Sequence, residues 1–89
     1  MAKFLLTWEE LAWEQYLYWI QTDKKVAKKI NNLLKEIKRT PHEGTGKPEP
    51  LTGNLSGYWS RRITQEHRLV YRVNKTQVIV AQCRYYYNK

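Results

Sequence analysis

The chain has 89 residues, enough for one core and one domain spanning residues 1–89. Sixteen Lys and Arg against eight Asp and Glu leave a formal charge of +8, a balance that favours a polyanionic partner. The single cysteine, Cys83, excludes an internal disulfide and fits a reducing cytoplasm.

Lys3–Leu6 reads as a short strand, with Phe4, Leu5 and Leu6 in a row. The Met1–Leu6 stretch is too short for a signal h-region or a transmembrane span, so a cytoplasmic location is expected. Thr7 then starts a helix that runs from about Trp8 to Gln21, because Thr7 and Glu10 stand at capping-box spacing. Leu11, Ala12, Tyr16, Trp19 and Ile20 lie on or near one face of it.

Asp23 caps a second helix over about Lys24 to Arg39. Val26, Ala27, Ile30, Leu33, Leu34 and Ile37 form its apolar stripe, the strongest periodic signal in the chain. Lysines and Arg39 fill the remaining surface. The stripe is needed for a core, which leaves little to insert into a membrane. The tight Thr22-Asp23 junction makes the two helices an antiparallel hairpin.

Thr40-Pro41 ends the second helix. Thr40–Gly57 holds all three Pro and all four Gly of the chain, and reads as a long functional loop. Tyr58–Ile63, Arg68–Val73 and Val78–Tyr86 read as three antiparallel strands. The expected class is α+β, ordered β-α-α-β-β-β, with the helical hairpin packed on a twisted antiparallel sheet.

Glu49 lies between Pro48 and Pro50, which restrict the backbone around it. A carboxylate held this way suits proton abstraction, though a solvated loop glutamate fits the spacing as well. Arg61, Arg62, Arg68, Arg72 and Arg84 cluster on the strands. Alternation sets Arg68, Val70 and Arg72 on one face and Leu69, Tyr71 and Val73 on the other, toward the helices. One face is thus apolar and the other basic, and guanidinium forks on a sheet beside aromatic residues suit single-stranded RNA. Tyr85, Tyr86 and Tyr87 suit packing and base stacking. His67 alternates with Leu69 and Tyr71 and reads as inward and structural, His42 as an exposed loop residue, and Cys83 as a small buried hydrophobe. Neither a metal site nor a cofactor is implied.

Several segments resemble the YoeB toxins of the RelE/ParE superfamily. They are Tyr16–Trp19, Lys28–Asn31, Arg39–Pro41, Gly46–Leu51, Asn54–Gly57, Trp59–Thr64, Glu66–Tyr71 and Cys83–Tyr85. The resemblance runs in order along nearly the whole chain. It implies a microbial-RNase-like fold and a toxin that cleaves messenger RNA in the ribosomal A site without a metal. The 2′-hydroxyl attacks the adjacent phosphate and leaves a cyclic or 3′-phosphate and a free 5′-hydroxyl. It also implies a YefM-like antitoxin and allows a homodimer.

By position, Glu49 matches the family's general base and Arg68 the arginine that stabilises the pentacovalent phosphate. Lys47 and Arg62 match residues that hold the RNA backbone. Arg61 and Arg84 join them as RNA-binding candidates from the basic strands. Tyr87 matches the near-terminal tyrosine. Tyr86 stands where the best-known members carry the histidine that acts as general acid. A free phenol is a weaker acid than an imidazolium by about 3–4 pK units, so slower cleavage is expected. Thr52 stands where the family has a second loop lysine. The alternatives are a ParE-like gyrase-inhibiting toxin, against which Glu49 argues, and a non-catalytic ribosome- or RNA-binding module.

Overall fold

The computed structural model describes residues 4–87. Its elements are β1 (Leu5–Trp8), α1 (Glu10–Thr22), α2 (Lys24–Ile37), β2 (Glu49–Pro50), β3 (Trp59–Arg62), β4 (Arg68–Val73) and β5 (Gln77–Gln82), with a short 3-10 turn at Gly53–Leu55. The strands form one five-stranded sheet in the order β1-β5-β4-β3-β2. Both helices cover one face of it, as the sequence pattern predicts.

Asp23 alone separates the two helices. Its N–H closes α1 by donating to the Trp19 carbonyl at 2.8 Å, and its carboxylate opens α2 by accepting from the Lys25 and Val26 amides at 3.1 and 3.3 Å. Along α2 the buried residues are Ala27, Ile30, Leu33, Leu34 and Ile37, the expected stripe except for Val26, which is half-buried. They meet Leu69, Tyr71, Val78 and Val80 from the inner face of the sheet. Each fully buried Leu or Ile contributes about 1.5–3 kcal/mol over exposure.

Five details depart from the sequence reading, one being that the expected loop Thr40–Gly57 contributes a two-residue strand, β2, so the order is β-α-α-β-β-β-β. The first strand is Leu5–Trp8, and Lys3 lies outside the described residues. Thr7 therefore caps nothing. It sits in β1 and its hydroxyl donates to Gln77 Oε1 at 3.0 Å, while Glu9 precedes α1 without a side-chain cap. The β1–β5 ladder runs on through Glu9, whose amide reaches the Val80 carbonyl at 2.9 Å, and so delays the helix.

Second, that ladder is parallel, with Leu6 opposite Val78 and Trp8 opposite Val80, so the sheet is mixed. The helical hairpin carries the chain from β1 at one edge of the sheet to β2 at the other, and β3 and β4 lead back to β5 beside β1. Third, Leu11 and Ile20 are 57% and 39% exposed, because the buried arc of α1 centres on Ala12 and Trp19. Fourth, β5 stops at Gln82. Cys83 turns inward there, donating its N–H to Gln15 Oε1 and accepting from Trp19 Nε1, both at 2.8 Å.

Cys83 is fully buried, as expected, and burial pushes its thiol up to about 12. A thiol raised in this way adds stability that is complete below its unfolded value and is lost as pH rises toward 12. At pH 8 the native chain is expected to resist alkylation by iodoacetamide and to react fully once unfolded in urea. Rapid labelling of the native chain would contradict this burial.

Candidate active site on the outer sheet face

With the helices on the inner face, the outer face is left to carry function. Across the strands Glu49 stands opposite Ser60, Ser60 opposite Val70, and Arg62 opposite Arg68. Directly opposed residues share a face, so all of these belong to the outer surface. Two strand spacings, about 10 Å, separate β2 from β4.

The outer face is not wholly basic. Leu51, Val70 and Tyr87 form a second small core there, joined by Leu55, Tyr58 and Ala81. That cluster anchors the Pro-rich loop from below and the C-terminal tail from above. Glu49 is exposed on its two-residue strand.

Arg68 is only 7% exposed. Its Nη1 donates to the carbonyls of Thr64, Gln65 and His67 at 2.8, 3.1 and 3.2 Å. Its guanidinium carbon lies 4.6 Å from the centre of the Tyr86 ring. Among the described residues the only salt bridge joins Arg61 to Glu36, so no carboxylate neutralises Arg68. The result is a full positive charge, oriented at one end and stacked against an aromatic ring.

Tyr86 is 55% exposed and Tyr87 is buried. Their rings stack at 4.7 Å and 26°. Burial pushes the Tyr87 phenol above its ordinary value. The Tyr86 hydroxyl and the charge of Glu49 act in the same direction, and the Ser60 hydroxyl acts against them. Tyr87 therefore keeps its proton at neutral pH, with Glu49, Ser60 and Tyr86 around it.

Lys47, Arg62 and Lys29 line an open groove of about 530 Å³ at the edge of this face. The loop lies close against β3, and the Arg62 amide donates to the Gly46 carbonyl at 2.7 Å. A Cβ on Gly46 would meet the Arg61 Cβ and the Arg62 carbonyl at 3.1 Å each, and φ is +88°, so glycine is required there.

Two expected RNA-binding arginines lie elsewhere. Arg61 is fully buried. It stands opposite Leu69 and therefore faces the helices. Its guanidinium donates to Glu36 Oε1 at 2.8 Å and to the carbonyls of Thr40, Glu43 and Thr45 at 2.8–3.1 Å, and its Nε donates to the Tyr71 hydroxyl at 3.2 Å. No donor is left for a phosphate. Arg84 falls beyond the end of β5, so strand alternation no longer governs it. Its guanidinium stacks 3.6 Å from the Tyr18 ring of α1 and 4.5 Å from Tyr85.

His67 is half-buried and structural, as expected. Its ring meets Trp19 edge-on at 4.8 Å, and its Nδ1 accepts the Tyr85 amide at 2.8 Å. His42 is exposed and packs on Trp59. Among the described residues no three His, Cys, Asp or Glu side chains gather as metal ligands do. Nor is any described helix long and apolar enough to cross a membrane. The sequence reading missed Ser60, although the alternation that places Arg62 outward places Ser60 there too. It also missed Gln82, which no local pattern marks.

This architecture recurs in solved structures. The YoeB dimer from Staphylococcus aureus superposes with a TM-score of 0.90 at 52% identity, covering 97% of this chain and 100% of that one. The YoeB–YefM complex from the same organism gives 0.88 at 50% identity, with the same coverage. The fold is that of the small bacterial toxins of the YoeB group. A family model described as YoeB-like toxin of bacterial type II toxin-antitoxin system matches residues 8–87. Toxin YoeB of Escherichia coli (strain K12) is 61% identical over 82 residues, which are 92% of this chain and 98% of that protein. The chain belongs to the YoeB family of type II toxins.

Proposed function

We propose that this toxin is a ribosome-dependent endoribonuclease that cuts messenger RNA in the cytoplasm. The observation that carries the reading is the meeting of Glu49, Arg68, Tyr86 and Tyr87 on the outer sheet face, with Glu49 and Tyr86 exposed and Arg68 and Tyr87 largely buried beneath. Glu49 takes the proton of the ribose 2′-hydroxyl. The 2′-oxygen bonds to phosphorus and the bond from phosphorus to the 5′-oxygen breaks. Arg68 faces the charge that builds on the phosphoryl oxygens, where oriented charge contributes most. Tyr86 hands its phenolic proton to the leaving 5′-oxygen, and Tyr87 supports it through the stacked ring. The products are a cyclic or 3′-phosphate and a 5′-hydroxyl.

The partners that follow are the ribosome and its messenger. A YefM-like antitoxin and self-association into a dimer complete the reading, by similarity to the S. aureus proteins whose complex and dimer are known.

The test is to add the chain to a reconstituted translating ribosome and map new RNA 5′ ends, with Glu49→Ala and Arg68→Ala as controls. Ends at the A-site codon that need both wild-type chain and ribosome support the reading. Binding without new ends would replace it with a non-catalytic module, and inhibition of supercoiling would replace it with a gyrase poison.

Two further outcomes are expected. Tyr86→His should speed cleavage near neutral pH and Tyr86→Phe should slow it, because a phenol is the weaker of two usable acids and phenylalanine is none. Equal rates for Tyr86→Phe and the parent would remove Tyr86 from the mechanism. Separately, Lys29→Gln, Lys47→Gln and Arg62→Gln should each flatten the salt dependence of binding to a short single-stranded RNA, by about 0.7 in the log–log slope for each lost phosphate contact. An unchanged slope in all three would take the groove out of the RNA path.

A further inference from the structure

Tyr86 and Tyr87 are useful only if the tail that carries them is held still. That tail follows the end of β5 and has no strand partner of its own. Three groups hold it. The Gln82 carboxamide nitrogen lies 2.8, 3.0 and 3.2 Å from the carbonyl oxygens of Arg84, Tyr85 and Tyr86. The Tyr85 amide donates to His67 Nδ1 at 2.8 Å, and the Tyr85 carbonyl accepts from the Arg68 amide at 3.0 Å.

Three consecutive carbonyls converge on one amide only if the chain coils tightly around it. Tyr85 makes that coil with φ at +67°. A non-glycine residue there is strained and persists only where its surroundings over-determine it. A bulge in the β4–β5 ladder helps. Val70 pairs with Gln82 but Tyr71 with Val80, so Ala81 is extra and Gln82 stays on the outer face opposite Val70. The coil leaves Tyr86 over Arg68 and Tyr87 beside Glu49.

We propose that Gln82 and His67 are positioning residues for the reaction described above. Gln82 touches no reacting atom. It gathers the tail carbonyls so that the tyrosine pair is presented to Arg68 and Glu49, and His67 fixes the turn from the other side. The inference rests on the nuclease reading, and the experiment separates the two.

The experiment is a double-mutant cycle in the ribosome cleavage assay, using Gln82→Met, Tyr86→Phe and the pair, together with native-state amide exchange at Tyr85. Methionine keeps the length of the side chain and removes the donors. If Gln82 acts through Tyr86, Gln82→Met lowers kcat by about 10- to 100-fold, as expected of a small misplacement. KM and thermal stability then stay close to those of the parent, and the effect disappears in the Tyr86→Phe background. The Tyr85 amide also exchanges faster. A normal kcat in Gln82→Met, or a full loss that persists alongside Tyr86→Phe, overturns the proposal. If the parent itself does not cleave, the nuclease reading falls, and the exchange decides the clamp alone: faster exchange at Tyr85 supports it and unchanged exchange ends it.

Discussion

A chain carrying Glu49→Gln is expected to cleave RNA about 10²- to 10⁴-fold more slowly than the parent, the usual contribution of a positioned general base. Its stability should be the same within about 0.5 kcal/mol, because the side chain is exposed and the substitution keeps its shape. Glutamine preserves the backbone pairing of Glu49 with Ser60 and the two flanking prolines. Only the ability to take a proton is lost. The effect therefore belongs in kcat, with KM nearly unchanged. Single-turnover cleavage on a translating ribosome and a urea melt check the two halves. Full activity in Glu49→Gln would move the base elsewhere on this face.

The second large effect is on stability. Arg61→Leu is expected to cost about 3–5 kcal/mol, out of a total of roughly 5–13 kcal/mol for a chain of this size. That corresponds to a fall in Tm of about 12–40 °C. The guanidinium ties α2, through Glu36, to the segment from Thr40 to Thr45 and to the Tyr71 hydroxyl, which itself donates to the Pro41 carbonyl at 2.6 Å. Removing it strands several carbonyl acceptors at once. It also frees the start of the loop that carries Lys47 and Glu49, so activity should fall with stability. Arg62→Leu, one residue along and exposed, should melt near the parent. Similar melts for the two variants would contradict this assignment.

Glu36 gives the same junction a pH signature. The backbone amide of Thr45 holds its carboxyl below the ordinary value of 4.5, and the Thr45 side chain and Arg61 add to the effect. A folded value below the unfolded one means stability that is present above the unfolded value and is lost as pH falls through the folded one. The urea midpoint of the parent should therefore drop on acidification below about pH 4.5. Glu36→Gln should start lower and respond less across that window. An identical acid response in both chains would remove Glu36 as a source of it.

The contrast between Arg61 and Arg62 shows how far the sequence could be read. Local rules succeed where one periodicity decides. The α2 stripe, the Asp23 cap and the facing of Leu69 and Tyr71 all follow from spacing within one element. Arg61 is one step in an alternation that also points Ile63 inward, so its direction was legible. Its burial was not, because that depends on Glu36 and on loop carbonyls 16–21 residues away. Distance along the chain also hid the parallel pairing of β1, since the Thr7–Glu10 spacing reads as a helix cap and the partner strand lies some 70 residues away. At the site, Glu49 and Arg68 could be marked by resemblance. Gln82 could not, because its importance comes from a turn that exists only once the tail has coiled.

The parallel pairing of β1 also bears on how the sheet is assembled. Among the described residues β1 comes first of the strands in chain order, and its hydrogen-bonded neighbour β5 comes last. Contacts between distant parts of a chain form late and slowly, since the loop must close before they give anything back. The sheet centre, the Cys83 anchor for Trp19 and the tail bearing Tyr86 and Tyr87 all wait for the same final segment. Until β5 docks, the outer face that carries Glu49, Arg68 and the tyrosine tail has no complete support.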